Sequence, residues 1–104
     1  MNSDYIYSKS EIKDIVKQIA EKRNIKRVFL FGSYARNEAK ASSDIDFCID
    51  APDVKSIFAI SGIRQDLCEA LEKDVDLITM SSLPYNDDKT FIESLNRDKE
   101  LIYG

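Results

Sequence analysis

Two short segments limit what this chain can fold into more than any other feature. An apolar run ends in Gly32-Ser33, and eleven residues after that serine comes Asp44-Ile45-Asp46, at the start of a second apolar run. In a β-strand the side chains alternate between the two faces, so the two aspartates lie on one face, about 6–7 Å apart, and Ile45 on the other. Carboxylates at this separation can share a pair of divalent cations.

The Gly-Ser segment predicts a turn that suits a phosphate group. Its backbone N–H groups and the Ser33 hydroxyl can donate to an anion, and Arg36 lies one helical turn further on. Taken alone, the Gly-Ser segment could instead be an ordinary strand-to-helix turn with Ser33 as the N-cap. The aspartates, taken alone, could belong to an edge strand with a polar, exposed face. Both segments together indicate phosphoryl or nucleotidyl transfer, since that chemistry needs phosphate, cations and carboxylates in one place.

Apolar patterning predicts an α/β (α+β) protein with a mixed sheet of three to four strands and helices packed against it. Ser8-Lys9-Ser10-Glu11 is a capping box that opens a helix, and a second helix begins after Asp53 or Ser56. We expect strands at 26–31, 45–50 and 73–80, a short helix at 33–39, a loop at 81–86 and a helix at 87–96. Residues 101–103 form a short strand or an extended tail.

Composition narrows the chemistry. The 104 residues carry a net charge of −4 and include no histidine, which excludes Ser-His-Asp and Cys-His catalysis and imidazole metal ligands within the chain. Ligation by oxygen alone favours Mg²⁺ or Mn²⁺ over zinc or copper. The acidic balance argues against direct nucleic-acid binding and suits a basic protein partner.

The length and the absence of long apolar runs limit the architecture. A chain of 104 residues predicts one domain, residues 1–104, and no apolar run approaches the roughly 20 residues that span a bilayer. Cys48 and Cys68 lie in apolar segments, so we expect buried thiols rather than a disulfide or a zinc site. The first residues contain neither a basic nor an apolar region, so we expect no secretory signal, no membrane contact and a cytoplasmic location.

The two segments also carry a family resemblance. Gly32-Ser33, its spacing to Asp44, and the Asp44-Ile45-Asp46 pair resemble the signature of DNA polymerase β-type nucleotidyltransferases. The short chain and the run Gly-Ser-Tyr-Ala-Arg most resemble the minimal nucleotidyltransferases (MNT), the antitoxin halves of HEPN/MNT toxin–antitoxin pairs. The resemblance covers nearly the whole chain and implies the nucleotidyltransferase fold.

The resemblance also implies a third carboxylate within a pattern of apolar, Asp, apolar, apolar. Asp76 in Val75-Asp76-Leu77-Ile78 matches this pattern, whereas Asp74 follows Lys73 at the polar entrance to the strand; alternation puts both aspartates on one face, so Asp74 stays an alternative. The family commonly has Gly where this chain has Asn37. Because asparagine tolerates a left-handed backbone better than other non-glycine residues, we expect the turn to survive.

These observations assign a role to each predicted site residue. The predicted catalytic residues and metal ligands are Asp44, Asp46 and Asp76. The predicted nucleotide-binding residues are Gly32, Ser33, Arg36 and Ser43. Two Mg²⁺ or Mn²⁺ ions would be bound by the aspartates, with ATP as the substrate, and Asp76 could accept the proton of the attacking hydroxyl.

Three functions are compatible with the sequence. The resemblance implies an antitoxin that transfers AMP from ATP to a tyrosine of a cognate HEPN ribonuclease toxin. The second hypothesis is a non-catalytic antitoxin that masks a basic partner surface, supported by the acidic balance and by Asn37. The third is a small-molecule nucleotidyltransferase of the antibiotic-modifying type. The sequence leaves open the modified residue, the number of AMP units, and whether the chain forms a homo-oligomer or a hetero-oligomer with the toxin.

Overall fold

A computed structural model describes residues 4–104 and contains a four-stranded mixed sheet with helices on both faces. In chain order the elements are α1 (Lys9–Arg23), β1 (Arg27–Phe31), α2 (Gly32–Ala35), β2 (Ile45–Asp50), α3 (Ile57–Leu71), β3 (Val75–Thr79), a 3₁₀ helix (Met80–Tyr85), α4 (Lys89–Asp98) and β4 (Glu100–Tyr103). The strand order is β3-β2-β1-β4; β1 is antiparallel to β2 and β4, and β2 is parallel to β3. The predicted α+β class and mixed sheet are confirmed.

Local sequence determines where the long helices begin. The Ser8 hydroxyl accepts a hydrogen bond from the Glu11 N–H at 3.1 Å, and the Glu11 carboxylate accepts one from the Ser8 N–H at 2.8 Å, which confirms the capping box of α1. Of the two predicted caps for α3, Ser56 is the one used, because its hydroxyl accepts from the Phe58 N–H. Among the helices of residues 4–104, none has the length and apolar character that crossing a bilayer requires.

An apolar cluster lies on each face of the sheet. The larger cluster lies between the sheet and helices α1 and α3. On the opposite face, Phe31, Cys48 and Leu95 are buried together, and Phe91 of α4 packs edge-on against Phe31 with 6.0 Å between ring centroids. Asp46 is on the same face of β2 as Cys48, so α4 and its apolar contacts lie on the side of the sheet that carries the predicted site.

Several boundaries differ from the prediction. Helix α2 covers four residues and ends before Asn37, whose φ of +59° is left-handed, so the predicted helix at 33–39 is too long. Residues 80–85 form a 3₁₀ helix rather than a loop, and β3 is shorter than predicted. Glu100–Tyr103 forms the strand β4, so of the two forms predicted for residues 101–103 the short strand is correct and the extended tail is not. Cys48 is buried, Cys68 is half-buried, and both are free thiols.

Candidate active site

The predicted acidic residues meet where β1 ends and where β2 and β3 begin. Antiparallel pairing of β1 and β2 places Phe31, the last residue of β1, opposite Asp46. Parallel pairing of β2 and β3 places Asp46 opposite Asp76. Because directly paired residues point to the same face of a sheet, the two carboxylates are neighbours, with an aromatic residue on the other side of Asp46.

Asp46 and Asp76 form a hydrogen-bonded carboxyl pair. Burial is the largest cause that raises the pKa of Asp46 from its ordinary value near 3.8 to about 7. The hydrogen bond that protonated Asp46 donates to Asp76, and the charges of Asp76 and Asp44, act in the same direction. Two carboxylates this close do not both ionise easily, so Asp46 keeps its proton to a higher pH than an isolated aspartate does. A divalent cation would remove the same repulsion, which makes the pair a natural pair of cation ligands.

Gly32 makes room for the Asp46 carboxylate. Its φ of +71° lies in the left-handed region, where a Cβ atom is disfavoured. A Cβ built on residue 32 would also overlap the Asp46 Oδ2 atom. Both the backbone conformation and the available space therefore require glycine, and the turn and the acidic strand belong to one site.

Helix α2 starts directly at this turn. Its N-cap is Phe31, which provides no side-chain hydrogen bond, so the alternative in which Ser33 caps the helix is wrong. The N–H groups of the first helical turn consequently receive no acceptor from the cap, and Ser33, half-buried, lies among them. Free N–H groups at a helix start, with a hydroxyl beside them, suit an anionic ligand.

Arg36 ends α2 and is bound by two carboxylates. Its Nε donates to Glu38 at 2.7 Å and its Nη1 donates to Asp98, the last residue of α4, at 3.1 Å. Its charge still reaches Asp46, whose pKa it lowers. The next residue, Asn37, has the left-handed backbone that the sequence analysis expects it to tolerate, and this expectation is confirmed. These two bonds use two of the five guanidinium N–H donors, so Arg36 could also donate to a phosphate.

Asp44 lies in the loop just before β2 and is exposed. In that loop the Ser43 hydroxyl accepts from the Lys40 N–H at 2.8 Å, so the predicted nucleotide-binding Ser43 is engaged within the loop itself. The charge of Asp44 raises the pKa of Asp46 and is therefore near it. Over residues 4–104, however, no three potential ligands are gathered into a preformed metal site. The structure brings two of the three predicted aspartates together and leaves the third close by.

Two other aspartates are placed away from this pair. Asp50 shares the face of Asp46 but lies at the far end of β2, where it accepts hydrogen bonds from Arg27 Nε and Nη2 at 2.9 and 2.6 Å. Asp74 precedes β3, and its carbonyl accepts from the Ile45 N–H at 3.1 Å. The residue opposite Asp46 is thus Asp76 rather than Asp74.

Two residues near the site are absent from the sequence-based predictions. Asp98 binds Arg36 across 62 positions of sequence, and no local pattern connects the two. Lys73 is buried, and its ammonium donates to the Ala41 carbonyl in the loop before Asp44. The sequence did contain a signal for Lys73, because alternation along the predicted strand places it on the same face as the apolar Val75.

Comparison with known proteins finds a matching family and sequence relatives of this chain. The model of the nucleotidyltransferase domain family matches residues 9–99. A Methanocaldococcus jannaschii protein, provisionally named a protein adenylyltransferase, is 43% identical over 82 residues, which cover 73% of this chain and 84% of the relative. Protein adenylyltransferase MntA of Thermococcus cleftensis is 32% identical over 87 residues, covering 84% and 82%.

The fold is also found in a solved toxin–antitoxin complex. A chain from the structure of tri-AMPylated Shewanella oneidensis HEPN toxin in complex with MNT antitoxin superposes with a TM-score of 0.68. The two chains share 21% sequence identity, and the match covers 92% of this chain and 72% of the other. At this identity the likeness shows the fold.

Proposed function

Because the chain belongs to the nucleotidyltransferase domain family, we propose that it is an antitoxin that transfers AMP from ATP to a tyrosine of a cognate HEPN ribonuclease toxin. The observation that carries the proposal is the Asp46–Asp76 pair beside the Gly32 turn. Relatives named protein adenylyltransferases support the transfer of AMP to a protein. The fold shared with a complex that contains an AMP-carrying HEPN toxin supports the choice of acceptor.

The donor set fits a hard divalent cation. Only oxygen ligands are available from the aspartates, and a chain without histidine offers no imidazole, so Mg²⁺ or Mn²⁺ is the expected ion. Asp46 and Asp76 would hold it, with Asp44 as the third ligand. When bound, the cation stabilises charge on the phosphate oxygens and lowers the pKa of the attacking hydroxyl.

The chain's own residues position the reactants. The N–H groups at the start of α2 and the Ser33 hydroxyl would hold the terminal phosphates of ATP, and Arg36 would add positive charge. The tyrosine oxygen then forms a bond to the α-phosphorus while the bond between the α-phosphate and the leaving pyrophosphate breaks. Asp76, exposed on β3, would take the proton from the tyrosine hydroxyl.

Intact mass of the toxin after incubation with this chain, ATP and Mg²⁺ tests the proposal. We expect the toxin to gain one or more AMP units with the wild-type chain and none with the Asp44→Asn/Asp46→Asn double variant. Asp50→Asn is the matched control, because Asp50 lies on the same strand face but is bound to Arg27. Labelling of the toxin by the double variant would contradict the metal mechanism.

A non-catalytic antitoxin is the second candidate. Arg36 is already bound by two carboxylates, and in the described part of the chain the acidic side chains are not gathered as a preformed metal site. If the toxin gains no mass but still forms a tight complex in which its ribonuclease activity is lost, the masking function replaces the enzymatic one. If there is neither mass gain nor complex, a small-molecule acceptor is the remaining hypothesis.

A further inference from the structure

Lys73 is the one charged residue buried within residues 4–104, with 3% of its surface exposed. Lysine is seldom fully buried, because removing an ammonium group from water is costly unless strong hydrogen bonds compensate. From Lys73 to Asp76 buried and exposed residues alternate, so the Lys73 stem follows the apolar side of β3. Its Nζ atom donates to the Ala41 carbonyl at 2.9 Å.

Ala41 belongs to the loop at residues 40–44, which leads directly into Asp44. Within this loop the Ser43 hydroxyl and N–H are both bonded to the Lys40 backbone, which closes the loop on itself. The bond from Lys73 connects the loop to the segment that precedes β3. On the other side of Asp44, the Ile45 N–H donates to the Asp74 carbonyl at 3.1 Å. Asp44 therefore lies between two attachments to the same two-residue segment.

There is space beside the loop into which it could move. A cavity of about 180 Å³ is lined by loop residues 41–44, by Asp4, and by Lys73 and Asp74. Among the described residues, close packing therefore does not hold the loop in place on this side. Hydrogen bonds to residues 73 and 74 hold the loop in place instead.

We propose that Lys73 is a positioning residue for Asp44. Its ammonium group holds the loop at 40–44 against the start of β3, which keeps Asp44 near the Asp46–Asp76 pair, so that it can join them when a divalent cation binds. This inference rests on the proposed function, since it assigns Asp44 the role of a cation ligand. Lys73 itself touches neither the cation nor the nucleotide.

The experiment compares loop mobility and Mn²⁺ binding in three variants. Lys73→Met keeps the length of the stem but removes the charge and the donor, Lys73→Arg keeps both, and Lys22→Met removes an exposed lysine on α1. Amide hydrogen exchange is measured on the metal-free protein, and Mn²⁺ affinity is measured by electron paramagnetic resonance without ATP or toxin. Neither measurement depends on AMP transfer.

We expect Lys73→Met to change both quantities. Exchange of the Ser43 and Ile45 amides should become roughly ten- to hundredfold faster, the factor expected when a hydrogen bond to a charged group is lost. Mn²⁺ affinity should fall by about tenfold or more, as it does when residues that orient metal ligands are replaced. Lys73→Arg should recover most of both values, and Lys22→Met should match the wild type.

Wild-type amide exchange and wild-type Mn²⁺ affinity in Lys73→Met would overturn the positioning role and leave the proposed function intact. If the wild-type chain itself bound no Mn²⁺, the metal site of the proposed function would be wrong, and the positioning role with it. Should Lys73→Met not fold, Lys73→Gln replaces it, because its side chain is one atom shorter and uncharged. We then expect faster amide exchange and weaker Mn²⁺ binding in Lys73→Gln than in Lys73→Arg.

Discussion

Replacing Gly32 by alanine tests whether the turn exists to admit the Asp46 carboxylate. Alanine at a φ of +71° costs about 1–2 kcal/mol in backbone conformation. Its Cβ would overlap Asp46 Oδ2, and turning that carboxylate away from its preferred rotamer adds about 0.5–1.5 kcal/mol. We expect a total loss of roughly 2–3 kcal/mol, which lowers the melting temperature of a chain this size by roughly 10–20 °C.

The assay measures thermal unfolding of the metal-free protein and then Mn²⁺ affinity of the folded protein. We expect Gly32→Ala to bind Mn²⁺ at least about tenfold more weakly than the wild type, because a displaced Asp46 no longer faces Asp76. Gly62→Ala is the matched control: a Cβ there would lie 3.1 Å from the Arg23 guanidinium, which can move aside. The gain of about 1 kcal/mol in helix propensity offsets that movement, so stability and Mn²⁺ affinity should stay near wild type.

Two results would refute this reasoning in different ways. If Gly32→Ala had the same melting temperature as the wild type, the overlap with Asp46 would be relieved without cost in stability, and the turn would not require glycine. If it lost stability but bound Mn²⁺ normally, Gly32 would serve the backbone turn alone, and Asp46 would not depend on the missing Cβ.

Two further predictions follow from the pKa shifts. Burial and Asp76 raise the pKa of Asp46 to about 7, so the folded protein binds this proton more tightly than the unfolded chain does. The stabilisation that the proton gives the metal-free fold is fully present below the ordinary pKa of aspartate and is lost as the pH rises through about 7. Urea unfolding should show Asp46→Asn to be more stable than the wild type at pH 8, with no advantage at pH 4; a pH-independent difference would contradict the shift. Burial also raises the pKa of the Cys48 thiol to about 11, so iodoacetamide at pH 8 should alkylate Cys48 only after unfolding, as read by peptide mass mapping.

Much of the fold follows from patterns that act over a few residues. The capping box at Ser8 starts α1 through contacts with Glu11, three positions away. The strands follow from β-branched and aromatic runs that end at a turn, as at Gly32. The left-handed backbone at Asn37 follows from the side chain of that residue. Each depends on atoms that are close in sequence, which is why they are predictable.

The environment of the acidic pair depends on contacts that are distant in sequence. Alternation within each strand predicts which of its residues share a face with Asp46 or with Asp76. It does not predict the register between β2 and β3 that places the two aspartates opposite one another, because that register is a property of the assembled sheet. The raised pKa of Asp46 comes first from burial, and its cross-strand neighbour Phe31 is packed by Phe91 of α4. No pattern within β2 contains that information.

The same distinction applies to the two aspartates from which the prediction began. Alternation along a strand puts Asp44 and Asp46 on one face only if both belong to the strand, but β2 begins at Ile45. The position of Asp44 is therefore determined by the loop that precedes the strand, and the loop is bound to the start of β3 through Lys73 and the Asp74 carbonyl. The spacing of the acidic pair predicts that Asp44 lies near Asp46, and its charge does act on the pKa of Asp46. The loop that carries Asp44 is bound to a buried lysine 29 positions away, so strand geometry is not the physical reason for its position.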